Sequence, residues 1–192
     1  MANAPLKIAF IGSHGVGKTT LCYDLASRLK RQDRAVDLVK EVARSCPLPI
    51  NRETTLAAQA WILHTQIAQE IAAEAQNDVV ICDRSVLDNY AYLVQQSGRQ
   101  RVYDALVSTW VATYDHLFKV PIIDPPTFDG MRDVNATFQQ QVDSTIDALA
   151  ADLGVTCHRL DPAARDGWVD AVLISCGLPL HAPQIDLFPV PA

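Results

Sequence analysis

The stretch Lys7-Ile-Ala-Phe-Ile-Gly-Ser-His-Gly-Val-Gly-Lys-Thr-Thr20 decides the fold of this 192-residue chain. An apolar run, typical of a buried strand, leads into residues 12–19, which fit the pattern Gly-x-x-x-x-Gly-Lys-Ser/Thr. Glycines let such a loop turn so that successive N–H groups point at anionic oxygens, and a following helix adds its positive end. The stretch therefore predicts a strand, a phosphate-binding loop and a helix.

The residue types in the loop match the needs of a bound nucleoside triphosphate. Lys18 is expected to reach the β- and γ-phosphates, and Thr19 to place its hydroxyl on Mg²⁺. An accidental glycine-rich loop is the alternative, but the flanking strand and helix patterns argue against it. His14 is expected to contribute its backbone alone. The predicted ATP-binding residues are Gly12, Ser13, His14, Gly15, Val16, Gly17, Lys18, Thr19 and Thr20.

The composition indicates one compact domain and argues against several functional classes. The chain is 49% hydrophobic and carries a net charge of −6, so a surface-wide attraction to nucleic acid is not expected. Its cysteines form no Cys-x-x-Cys pair, which predicts reduced thiols. Neither a signal-peptide pattern nor a run of about 18 apolar residues is present. We therefore expect a cytoplasmic protein without membrane association, and the sequence leaves open whether it forms a homodimer.

Apolar runs alternate with helical patterns along the chain. Strands are predicted at 7–11, 36–42, 78–83, 115–120 and 155–160. This alternation favours an α/β fold in which a doubly wound parallel sheet lies between two layers of helices. Residues 1–178 are predicted to form one domain with a loop at about 124–135, and the proline-rich residues 179–192 an extended tail.

Two carboxylates stand where predicted strands end, and such ends meet at the ligand-binding edge of an open parallel sheet. Asp83 ends an apolar run and is predicted to hold Mg²⁺ together with Thr19. A helix cap or a surface pair with Arg84 is the alternative for Asp83. Glu41 closes the second predicted strand and is placed as general base for an acceptor hydroxyl, although strand ends also carry solvated charges.

Three arginines are candidates for binding phosphate. Arg84 is predicted to orient phosphate, whereas Arg44 either holds an anionic group of the acceptor or pairs with Glu41. Arg132 lies in the predicted loop, where a guanidinium can close over the γ-phosphate or stay in solvent beside an Asp-Gly turn. The acceptor is expected between the helices that start near residues 54 and 86, in contact with Gln59, His64, Asp88 and Tyr92.

The chain resembles small P-loop kinases of the nucleoside and nucleotide kinase group, in particular the branch of AAA-type ATPases that contains the ribosylnicotinamide kinase domain. The resemblance implies a sheet in strand order 2-3-1-4-5. It also implies that Glu41 takes the proton of the acceptor hydroxyl, that Asp83, Arg84 and Ser85 serve metal and phosphate binding, and that Arg132 is a lid arginine. The similarity spans most of residues 8–160 and rests on the loop 12–19, on Glu41-Val-Ala-Arg44, on Asp83-Arg-Ser85 with Leu87-Asp-Asn89, and on Asp129-Gly-Met-Arg132.

The sequence thus predicts an ATP- and Mg²⁺-dependent kinase that transfers a γ-phosphoryl group to a hydroxyl of a nucleoside-like acceptor. Two alternatives stay open. One is a polynucleotide or DNA-base kinase, for example of hydroxymethylated pyrimidine in DNA, and the other is an ATPase switch without an acceptor. The loop with one clear arginine departs from deoxynucleoside kinases, so their acceptor is not carried over. The predicted catalytic residues are Lys18, Glu41, Asp83, Arg84 and Arg132.

Overall fold

The computed structural model describes residues 4–50, 53–128 and 134–182. Its strands occupy the five predicted apolar runs, with helices between them. The strands are β1 (Leu6–Ile11), β2 (Val36–Val39), β3 (Val79–Asp83), β4 (His116–Lys119) and β5 (His158–Arg159). The helices are α1 (Lys18–Lys30), α2 (Leu56–Glu74), α3 (Val86–Ser97), α4 (Arg101–Val111), α5 (Ala136–Asp152) and α6 (Trp168–Ser175).

The sheet confirms the predicted strand order, β2-β3-β1-β4-β5. All neighbouring strands run parallel, and β1 lies at the centre between β3 and β4. The register places Phe10 of β1 opposite Asp83 of β3. Because parallel strands end at the same edge of a sheet, the loop after β1 and the residues after β3 lie side by side.

Alternate residues of the central strands face two different layers of helices. On one face, Ala9 and Cys82 pack against buried residues of α2, α3, α4 and α5. On the other face, Phe10 and Ile81 pack against α1 and α6. This gives the predicted three-layer α/β architecture. None of the helices that the structure describes is long and apolar enough to cross a membrane.

The second strand is shorter than the sequence predicted. It ends at Val39, and Glu41 begins a 3-10 turn at Val42–Ser45 in which Arg44 N donates to Glu41 O at 3.3 Å. Val42 lies in this turn and is buried, with 2% of its surface exposed. Its apolar side chain, which had suggested a longer strand, is therefore buried by the turn and not by the sheet. The prediction that Glu41 closes the strand is wrong, and Glu41 lies just beyond it.

The first residues of the proline-rich tail lie along α1. Gln32 Nε2 donates to Pro179 O at 2.8 Å, and Arg28 Nη1 donates to Leu180 O at 2.7 Å. Leu180 also packs against the α1 and α6 side of the core. The tail therefore begins in contact with its own domain; residues 183–192 lie outside the described residues.

Candidate active site

The loop between β1 and α1 has the backbone of a phosphate cradle. Gly12, Gly15 and Gly17 have φ angles of 142°, 80° and 93°, a region in which other residues are strained. Gly17 is the N-cap of α1 and Lys18 its first residue. Because the first N–H groups of a helix have no partner within it, this helix end can bind an anion at the mouth of the loop.

Two of these glycines also lack room for a side chain. A Cβ at Gly12 would lie 2.8 Å from the carbonyl oxygen of Val120, just after β4. A Cβ at Gly15 would lie 3.2 Å from Cβ of Pro126, in the segment that follows. The cradle is therefore packed against the residue after β4 and against Pro126 of the predicted lid.

Lys18 is buried inside the loop, with 5% of its surface exposed. Its ammonium donates to the carbonyl oxygens of Gly12 and Ser13 at 2.6 and 2.5 Å. Burial, together with the nearby positive charge of Arg84, lowers the pKa of Lys18 to about 8. A buried cation in this position would gain stability from the negative charge of a bound phosphate.

Thr19 and Asp83 form the pair that fits a metal ion. The Thr19 hydroxyl donates to Asp83 Oδ2 at 2.6 Å across the β1–β3 junction. Burial raises the pKa of Asp83, while the Thr19 hydrogen bond and the charge of Lys18 hold it down. A hydroxyl and a carboxylate beside a phosphate cradle are the oxygen ligands that Mg²⁺ takes in proteins. The donor set therefore fits Mg²⁺.

Glu41 is held between two arginines. Its Oε1 accepts from Arg84 Nε and Nη2 at 2.9 and 2.8 Å, and its Oε2 accepts from Arg44 Nε at 2.8 Å. The Arg84 guanidinium lowers the pKa of Glu41 to about 2, against the opposing effect of burial. Of the two predicted roles of Arg44, binding an anionic group of the acceptor or pairing with Glu41, the structure shows the pair with Glu41. The carboxylate is therefore fixed in place and ionised at neutral pH.

Arg84 has an unusual backbone conformation for a residue with a side chain. Its φ is 96°, and such a conformation costs of order 1–3 kcal/mol, which the surrounding structure must supply. The side chain is 6% exposed, stacks over Tyr92 with Cζ 5.1 Å from the ring centroid, and its Nη1 has no hydrogen-bond partner among the described residues. One donor of a buried guanidinium is thus available inside the site.

Asp88 does not line the predicted acceptor pocket. It is fully buried, and its Oδ1 accepts from Gly12 N at 2.8 Å. Its Oδ2 accepts from the backbone N and hydroxyl of Ser85 at 3.0 and 2.9 Å, while Ser85 caps α3. The carboxylate therefore joins the first residue of the cradle to the residues after β3.

A cavity of about 190 Å³ opens between the cradle and helices α2 and α3. Three of the predicted acceptor residues line this cavity: Arg44, Gln59 and Tyr92. His64 does not, because it is exposed on α2, with Nδ1 2.7 Å from Ala60 O. Neutral polar and apolar side chains line the part away from the phosphate loop: Ile50, Thr54, Gln59, Ile62, Asn89, Gln95, Gln96 and Phe138. The part next to the phosphate loop is lined by the charged and metal-binding candidates Lys18, Thr19, Glu41, Asp83 and Arg84.

Sequence reasoning missed the side chain of His14 and the residue Asn89. His14 is 7% exposed, its Nδ1 lies 3.1 Å from the Tyr92 hydroxyl, and its ring packs against Phe138. Asn89 is 4% exposed, and its Nδ2 has no partner among the described residues. Asn89 belongs to the Leu87-Asp-Asn89 segment of the family resemblance, but that segment assigned it no role. The positions of Tyr92 and Phe138 in the sequence do not indicate that both rings contact His14.

The predicted lid is only partly within the described residues. Residues 124–128 and 134–135 are described, but Arg132 and the neighbouring Asp129, Gly130, Met131 and Asp133 lie outside. The placement of Arg132 stays a prediction.

Solved structures similar to this chain are small P-loop kinases and a protein that contains such a domain. A NadR protein in complex with NR has a TM-score of 0.75 and 18% identity, covering 95% of this chain and 54% of its own. Deoxyadenosine kinase from M. mycoides with bound dATP has a TM-score of 0.65 and 13% identity over 90% and 99% of the two chains. Thymidylate kinase from Ehrlichia chaffeensis has a TM-score of 0.63 and 20% identity over 91% and 99%.

The chain spans about half the length of the NadR protein, and no curated protein matches it in sequence. A family model described as an AAA domain matches residues 7–166. The protein therefore belongs to this AAA domain family and has the fold of a small P-loop nucleoside kinase.

Proposed function

We propose that the protein is an ATP- and Mg²⁺-dependent kinase that transfers a γ-phosphoryl group to a hydroxyl of a nucleoside-like acceptor. The observation that carries this proposal is the position of Glu41. Its ionised carboxylate lines the same cavity as Lys18 and the Thr19–Asp83 pair, where it can accept a hydrogen bond from an acceptor hydroxyl. The fold likeness to nucleoside and nucleotide kinases supports the same reading.

Different residues would stabilise the negative charge of the ATP phosphates in different ways. The cradle N–H groups and Lys18 would bind the β- and γ-phosphate oxygens. Thr19 and Asp83 would hold Mg²⁺, which when bound neutralises charge on the same oxygens. The available Nη1 of Arg84 is suited to a γ-phosphate oxygen, because a guanidinium bonded on one edge to a carboxylate can still donate from the other.

Glu41 would act on the acceptor hydroxyl. With a pKa of about 2 the carboxylate is a weak base, so its first task is to accept the hydroxyl hydrogen bond and aim the oxygen at phosphorus. As the new O–P bond forms, the bond between the γ-phosphorus and the β–γ bridging oxygen breaks and ADP leaves. The hydroxyl proton becomes strongly acidic in this step and passes to Glu41 Oε2 or to solvent. Orientation of this kind is the main contribution expected where the transition state is loose.

The outer cavity wall favours an uncharged heterocyclic acceptor. Thr54, Gln59 and Asn89 offer neutral hydrogen-bonding groups, and Tyr92 and Phe138 offer ring faces. Side chains of this kind can bind the edge and face of a base.

The test is transfer of labelled γ-phosphate from ATP with Mg²⁺ to a panel of acceptors. The panel contains free nucleosides, ribosylnicotinamide, nucleoside monophosphates, and DNA with plain or hydroxymethylated bases. The expected result is label on a free nucleoside, with transfer strongly reduced in Lys18→Ala and impaired in Glu41→Gln. Label on DNA alone would replace the proposal with a DNA-base kinase, and phosphate release that ignores the acceptor would replace it with an ATPase switch.

A further inference from the structure

Two side chains that play no part in the chemistry proposed above, those of Gln66 and Tyr114, form hydrogen bonds with the backbone next to the strained residue Arg84. Gln66 Nε2, on α2, donates to the carbonyl oxygen of Arg84 at 3.2 Å. The hydroxyl of Tyr114, just before β4, accepts from the backbone N of Val86 at 3.0 Å. These bonds hold the two peptide groups that follow Arg84, one on each side of Ser85.

Both side chains are fixed on a single buried carboxylate. Glu70 Oε1 accepts from Gln66 Nε2 at 2.8 Å and from the Tyr114 hydroxyl at 2.7 Å. Glu70 and Gln66 are fully buried, and Tyr114 is 8% exposed. Gln66 Nε2 and the Tyr114 hydroxyl each join Glu70 to a backbone group near Arg84, whereas Gln66 Oε1 has no partner among the described residues. A shared buried acceptor of this kind restricts the positions that the two side chains can take.

The carboxylate itself is anchored on its other oxygen. Glu70 Oε2 accepts from Trp110 Nε1 at 2.7 Å and from Lys7 Nζ at 3.4 Å, and Lys7 also pairs with Glu74 at 2.6 Å. The Lys7 ammonium lies 4.8 Å from the centre of a Trp110 ring and is 1% exposed. A buried ion pair of this kind is a costly way to fill a core, which calls for a role beyond packing.

We propose that Gln66 and Tyr114, held by Glu70, are positioning residues that keep Arg84 in its left-handed conformation and so place its guanidinium between Glu41 and the phosphate cradle. Without the bonds to the Arg84 and Val86 peptides, the segment relaxes toward an ordinary conformation and the guanidinium leaves Glu41. This inference rests on the proposed function for its effect on catalysis, but the placement of Arg84 can be measured without any substrate.

The experiment uses Tyr114→Phe and Gln66→Met in the full chain. Tyr90→Phe is the matched control, because the Tyr90 hydroxyl likewise donates to a carboxylate, Asp104 at 2.7 Å, and accepts from a backbone N, that of Gln100 at 3.1 Å. The first readout is the NMR signal of the Arg84 Nε–H group, which Glu41 holds. We expect the signal to weaken or exchange rapidly in both test variants and to stay unchanged in the control.

The second readout is phosphoryl transfer. We expect kcat to fall by about 10- to 100-fold in the test variants with the KM for ATP nearly unchanged, the size of effect that a misplaced group produces. In an Arg84→Ala background the same substitutions should have little further effect on kcat, because a residue that acts through Arg84 has nothing left to position. Equal kcat losses in both backgrounds would show a general structural effect and overturn the inference.

The two readouts separate this inference from the proposed function. If the Arg84 signal responds as expected but the protein phosphorylates no acceptor, the positioning role is supported and the proposed kinase function is wrong. An unchanged Arg84 signal in folded Gln66→Met removes the positioning role, whatever the activity. If Tyr114→Phe does not fold, because the Val86 N–H loses its buried partner, Gln66→Met decides alone.

Discussion

Glu41→Gln should destabilise the protein in a way that depends on pH. The Arg84 guanidinium lowers the pKa of Glu41 from its ordinary value of 4.5 to about 2, and Glu41 is mostly buried, with 17% of its side chain exposed. A shift of that size corresponds to about 3 kcal/mol of stability at neutral pH. The substitution removes this and leaves the buried Arg84 charge with one partner fewer, so we expect the free energy of unfolding at pH 7 to fall by about 3 kcal/mol.

The pH profile identifies the cause. A carboxylate whose pKa is lower in the folded state binds fewer protons there, so its contribution is complete above pH 4.5 and is lost as the pH falls toward 2. Urea unfolding of wild type and variant should therefore differ by a constant amount from pH 7 to pH 5, and the difference should shrink by about 1 kcal/mol between pH 5 and pH 3.5. Glu53→Gln, at an exposed position, is the control. A difference that is small at pH 7, or that does not change with acidification, would refute the Glu41–Arg84 pairing.

Three further predictions concern the phosphate side of the site. Lys18→Ala should lower phosphoryl transfer by about 10²- to 10³-fold while circular dichroism stays that of the folded protein, because the residue stabilises transferred charge; a variant with wild-type turnover would remove the cradle from the mechanism. Gly12→Ala should lower both the melting temperature and ATP affinity, since its Cβ would lie 2.8 Å from Val120 O, whereas Gly98→Ala meets nothing within 4 Å and should cost about 1–3 kcal/mol of backbone strain without a change in ATP affinity. Asp83→Asn should raise the Mg²⁺ concentration that gives half-maximal activity, measured by titrating Mg²⁺ at saturating ATP; an unchanged midpoint would exclude Asp83 as a metal ligand.

The sheet and the phosphate cradle could be predicted because their signals are local. The glycines of residues 12–19 determine the loop conformation, and the apolar runs indicate where the strands lie. The order of the strands in the sheet then followed from the family resemblance. Glu41 shows the limit of such signals, because Val42 looks like a strand residue in sequence but is buried from a 3-10 turn.

Contacts between distant parts of the chain could not be predicted in this way. Asp88 has the same neighbours in sequence whether it lines a pocket or bonds Gly12 N, 76 residues away. The same is true of Glu70, whose partners Lys7, Trp110 and Tyr114 come from separate elements. A helix pattern identifies the buried face, but not which polar group on that face finds a partner across the core.

The two halves of the active site are built from different kinds of structure. Asp83 is the last residue of β3, which backbone hydrogen bonds join to β1, and Thr19 lies in the first turn of α1, directly after the loop that follows β1. The backbone of these elements therefore sets the distance between Thr19 and Asp83. The outer cavity wall instead consists of side chains on helix faces and loops, such as Gln59, Asn89 and Phe138, that can be exchanged one at a time. We therefore expect a library confined to those wall positions to change which molecule binds in the outer cavity while the phosphate-binding residues stay the same.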